Sequence, residues 1–105
     1  MPWLILVIAG LFEVAWAVGL KMSDGFTKPL ISVATLVSMG ISVVLLSLAL
    51  KTIPAGTGYA VWTGIGAAGT AIVGMLLLGE SRDALKIFSL CLIVAGIAGL
   101  KLAHG

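Results

Sequence analysis

Residues 2–20 read PWLILVIAGLFEVAWAVGL, an apolar segment broken by a single charge, Glu13. Coiled as a helix at about 1.5 Å per residue, it nearly matches the ~30 Å hydrocarbon core of a bilayer. An ionised side chain at that depth costs at least about 2.5 kcal/mol on insertion scales, so it normally faces a packed interior or a watery cavity and has a partner. That partner is expected to be a cation or a proton. The other reading of Glu13 is a purely structural acid, kept protonated or paired with a lysine.

Beyond this segment, residues 29–50 and 52–79 are uncharged runs, each long enough to span. The last apolar stretch reaches spanning length only if it runs over 84–103, with Lys86 and Lys101 snorkelling toward opposite interfaces. The reading is an all-α integral membrane protein, one domain over 1–105, with helices at about 3–20, 29–50, 55–78 and 84–103. With 61% hydrophobic residues, 10% charged residues and a mean hydropathy of +1.27, the chain is too apolar for a soluble domain. The connections around Ser23–Lys28, Thr52–Pro54 and Gly79–Asp83 are short, so activity is expected between the helices. The first segment lacks a basic n-region and a small-x-small cleavage site, and is expected to be retained rather than removed as a signal.

A net charge of +2, thinly scattered, gives no nucleic-acid patch. Lys21, Lys28, Arg82 and Lys86 fall at one end of the spans, and Lys51, Lys101 and the amino terminus at the other. So small a bias leaves both orientations open under the positive-inside rule. Cys91 stands alone in an apolar helix, without disulfide or metal-ligand spacing. No metal, cofactor or nucleophile–base pair is implied, and an enzyme is not expected.

Four short helices cannot easily enclose a polar cavity, which makes a homodimer the economical assembly. Its contact is expected on the fourth helix, where Ser89, Gly96 and Ala103 recur every seven residues and Cys91, Ala95 and Gly99 every four. Two oppositely inserted copies would supply the inverted symmetry many transporters use.

Helical spacing places Ala9, Gly10, Trp16 and Ala17 beside Glu13, sets Tyr59, Trp62, Thr63 and Gly66 on one face of the third helix, and aligns Thr35, Ser38 and Ser42 on the second. A carboxylate to neutralise a cation, rings to offer cation-π faces and hydroxyls to orient either would make one coherent pocket. Each member also has a plainer reading: Tyr59 and Trp62 as interfacial anchors, Ser42 as a hydroxyl bonded back to its own helix. Gly64-Ile65-Gly66-Ala67-Ala68-Gly69 matches G-x-G-x-x-G, but inside an apolar helical run with no preceding strand, which excludes a dinucleotide site. Gly64 and Gly66 are candidates for a bend used in gating, or for close packing.

Glu13 with Trp16, Gly25-Phe26-Thr27, Ile53-Pro54, the run Gly58-Tyr59-Ala60-Val61-Trp62-Thr63-Gly64-Ile65-Gly66 and the closing Gly99-Leu100-Lys101 are together recognisable. Over its whole length the chain resembles the small multidrug resistance family. Trp16, Trp62-Thr63-Gly64 and Lys101 make it look like the guanidinium exporter subtype. The resemblance implies a multi-pass protein of the bacterial inner membrane, working as an antiparallel homodimer. In it two copies of Glu13 form one central site that binds either guanidinium or protons. Trp16, Ser42, Tyr59 and Trp62 would surround the site, and Gly10 would allow close approach. Two positions depart from the family pattern: Gly58, expected to loosen the start of the third helix, and Ser89 in the fourth-helix contact. The rival readings are a broader exporter of quaternary ammonium compounds, with a wider aromatic pocket, and a membrane scaffold without transport. A passive channel is disfavoured, because one acid among apolar residues makes a trap rather than a continuous polar lining.

Overall fold

The computed structural model describes residues 2–104, except the side chain of His104. Four helices follow one another: α1 (Pro2–Met22), α2 (Pro29–Ala49), α3 (Ala55–Leu77) and α4 (Ala84–His104). All four are long and apolar enough to cross a membrane. The first runs two residues past the expected Leu20, carrying Lys21 in its last turn, where a cation complements the helix dipole.

Each connection has a local cause. Asp24, Gly25 and Phe26 all take left-handed backbone (φ 50°, 72° and 65°), reversing the chain after α1. Ser23, fully buried, holds that turn by donating to the Leu20 carbonyl (2.9 Å) and accepting from the Phe26 N–H (3.2 Å). Pro29 then opens α2 at a position where its missing N–H costs nothing. Buried Ile53 pins the second connection under the bundle, and Pro54 precedes α3. In the third, Gly79 is left-handed (φ 72°) and the Asp83 carboxylate accepts from the Lys86 N–H (2.8 Å), capping α4.

The core lies among α1, α2 and α3, built on Leu6, Ala9, Leu46, Ala49, Ile53, Val61 and Trp62. Glycines set the helix spacing. A Cβ on Gly10 would lie 2.6 Å from Ile65 Cγ2, so α3 sinks its isoleucine against α1. Gly19 admits Thr35 in the same way, and Gly58 admits Leu50. Gly58, at the start of α3, is buried, and its missing side chain is the space Leu50 fills.

The fourth helix stands apart. Among the described residues its backbone comes close only to α3, its side chains Ile97 and Leu100 reach the edge of the core, and none of its residues is buried. Gly64 brings it in, since a Cβ there would lie 3.0 Å from Ile97 Cδ1. Ser89, Gly96 and Gly99 face outward, and the Ser89 hydroxyl donates to the Leu85 carbonyl (2.9 Å). In its thinnest dimension the bundle measures 17 Å, less than two full helix diameters.

Candidate functional site

Glu13 lies near the middle of α1, about 16 Å along the axis from Pro2 and about 14 Å from Met22. Its side chain leans on α3 at Gly66, where any Cβ would collide with the carboxyl group. Gly66 is thus the seat of the carboxylate, and α3 meets Glu13 with bare backbone.

Beside that seat is a cavity of about 350 Å³, lined by Glu13 and Ala17 from α1, by Thr63, Gly66, Ala67, Thr70 and Ala71 from α3, and by Glu80 from the connection to α4. Two buried polar atoms in its wall make no hydrogen bond, Glu13 Oε1 and Thr70 Oγ1; a third, Trp16 Nε1, belongs to a ring packed against the core. Buried polar groups left unpaired cost about 1–3 kcal/mol each, so a cluster of them is unusual in a settled protein interior. The two in the wall are a carboxylate and a hydroxyl that can accept or donate. Such a set can neutralise a small cation and accept its N–H groups.

Other expected site residues take a different place. Ser42 is fully buried and donates to the Ala9 carbonyl (2.7 Å), while the Trp62 indole N–H donates to Ser42 Oγ (2.9 Å). Tyr59 packs beside Trp62 with ring centroids 5.6 Å apart, and is itself exposed. Ser42 therefore does not bond back to its own helix. It ties α1, α2 and α3 together, with Trp62 satisfied from within. Thr35 does bond back, to the Ile31 carbonyl (2.8 Å), against Gly19 and away from the cavity lining. Lys101 Nζ stands 5.2 Å from the Trp3 ring centroid, a cation-π approach at the far end of α4.

Sequence reasoning missed Thr70 and Glu80. Thr70 could have been found by extending the face of Thr63 and Gly66 by one further turn, since 63, 66, 67 and 70 share helical spacing. For Glu80 no sequence signal sufficed, because only the left-handed turn at Gly79 folds its carboxylate back onto α3.

A family model described as Small Multidrug Resistance protein matches residues 1–93. Guanidinium exporters of Yersinia pseudotuberculosis serotype I and of Yersinia pestis are each 64% identical over 103 residues, covering 98% of this chain and 99% of theirs. A guanidinium exporter of Salmonella typhimurium is 60% identical over 103 residues, 98% of each chain.

Proposed function

Since this chain belongs to the small multidrug resistance family, a multi-pass protein of the inner membrane with four spanning helices, we propose that it exports guanidinium and small substituted guanidinium cations in exchange for protons. The observation that carries this reading is the buried, unpartnered Glu13 oxygen at a cavity whose other orphaned polar atom is the Thr70 hydroxyl. Guanidinium stays charged at any physiological pH and presents planar N–H donors that match a carboxylate fork, with further donors for Thr70 and Thr63. A proton on Glu13 removes that attraction, so the two ligands compete for one place. The names of its relatives point to the same substrate.

The working unit in this reading is an antiparallel homodimer with two copies of Glu13 in one central site. Three features support it: the near-balanced charge at the two ends, the thinness of one subunit, and an α4 without buried residues whose Ser89 and Gly96 face outward. Gly64 and Gly66 remain the positions where α3 can adjust as the dimer reorients. Reorientation with both carboxylates bare is costly, because each would be desolvated without a partner. This cost couples outward guanidinium to inward protons.

The test is exchange in proteoliposomes of the purified protein. Guanidinium is expected to move against an imposed proton gradient, tetraphenylphosphonium to compete poorly, and Glu13→Gln to abolish exchange while still fitting against Gly66. A Glu13→Gln protein that still exchanges guanidinium for protons contradicts the scheme. Wild-type protein without guanidinium-dependent proton flux favours a scaffold, and strong competition by tetraphenylphosphonium favours a broader exporter.

A further inference from the structure

The cavity at Glu13 contains a second carboxylate, which the function above does not use. Glu80 belongs to the connection between α3 and α4, yet its side chain returns to α3: a Cβ on Gly74 would lie 2.5 Å from Glu80 Cδ and Oε2. Two features bring it there. Gly79 is left-handed, and the Glu80 N–H donates to the Gly74 carbonyl (3.1 Å). Gly74 is therefore a second carboxylate seat on α3, built like Gly66 and equally without a side chain.

The two seats and the orphaned hydroxyl between them form a series. Gly66, Thr70 and Gly74 are spaced four residues apart, so they follow one stripe of α3 and step about 6 Å toward the helix end each time. Glu13, Thr70 and Glu80 all line the same cavity. A cation passing along it would meet a carboxylate at the mouth, a hydroxyl midway and a carboxylate at depth.

The neighbouring charges leave Glu80 partly committed. Lys86 Nζ stands 3.1 Å from Oε1, and both side chains are partly exposed (29% for Lys86, 47% for Glu80). Arg82 is occupied elsewhere, donating through Nε (3.2 Å) and Nη2 (3.1 Å) to the Met75 carbonyl. Asp83 caps α4. An exposed lysine–carboxylate pair of this kind is weak and exchangeable. A guanidinium group, more weakly hydrated than an ammonium and able to bond both oxygens at once, is suited to replace Lys86 there.

We propose that Glu80 is a cation-binding residue at the mouth of the Glu13 cavity, which captures the guanidinium group before it reaches Glu13 and for which Lys86 competes. This rests on the reading of Glu13 as the transport site. Capture at the mouth raises the local concentration of substrate and so acts mainly on KM.

The experiment measures guanidinium-driven proton flux across a range of substrate concentrations, in proteoliposomes of the full-length protein, for wild type, Glu80→Gln and Lys86→Gln. Glu80→Gln is expected to raise KM about three- to tenfold, and Lys86→Gln to lower it, because the competitor is gone. A salt bridge that merely held the connection together would make both variants shift KM the same way. That result, or no shift in either, overturns the proposal. Should Glu80→Gln fail to assemble, Lys86→Gln decides alone: a lowered KM supports capture at Glu80, and an unchanged or raised KM refutes it. Failure of the underlying reading looks different, since wild type would then show no guanidinium-dependent proton flux and both ideas would fall.

Discussion

Two polar clusters lie among these apolar helices, and they have been treated oppositely. In one, Ser42 bridges the Ala9 carbonyl and the Trp62 indole, and every group in the chain of bonds is paired. In the other, Glu13, Thr70 and Trp16 each bury a polar atom with no partner, the first two in the wall of a cavity. The first cluster spends its hydrogen bonds on holding α1, α2 and α3 together. The second withholds them, which is stable only if something else arrives to accept or donate. A hydroxyl alone does not separate the two, since each contains one. Partnering does.

The strongest perturbation is expected at Gly66. Gly66→Ala puts a methyl group where the Glu13 carboxyl rests, so the acid must leave its seat or α1 and α3 must separate. Overpacking of this kind costs about 1–3 kcal/mol. Guanidinium affinity, measured by calorimetry on purified protein, is expected to fall about tenfold or more. Unchanged affinity would mean that the seat on α3 does not position the acid.

A matched pair of smaller substitutions sharpens the contrast. Ser42→Ala removes a bridge and strands the Trp62 N–H, so thermal stability in detergent should drop by roughly 1 kcal/mol, the scale of side-chain hydrogen bonds in membranes. Thr70→Val removes a hydroxyl that bonds to nothing in the protein, so stability should hold while guanidinium affinity weakens about two- to fivefold, the loss of one modest hydrogen bond. If Thr70→Val destabilises as much as Ser42→Ala, the hydroxyl has a structural partner and the division between the clusters is wrong.

Much of this was legible in the residues. Four helices follow from the spacing of charges, because a span is defined by what it lacks, and Glu13 was conspicuous for lying inside one. The Ser42 bridge was not legible, since its partners are 33 and 20 residues away in sequence and helical spacing speaks only of neighbours on one face. Close approach was legible for Gly10 and open for Gly64 and Gly66, but which side chain each glycine admits from another part of the chain was not. Thr70 was not reached, because the face of the third helix was followed only as far as Gly66, one turn short of it. Glu80 read as loop, and only the turn at Gly79 returns it to the cavity.

On the proposed reading, one unpartnered carboxylate carries either a proton or a guanidinium cation. Adding guanidinium to the purified protein in weak buffer tests it directly. Protons should be released into solution as the cation binds, in proportion to the protein present, and Glu13→Gln should release none. Guanidinium that binds without releasing protons, or releases them equally from Glu13→Gln, would contradict the account.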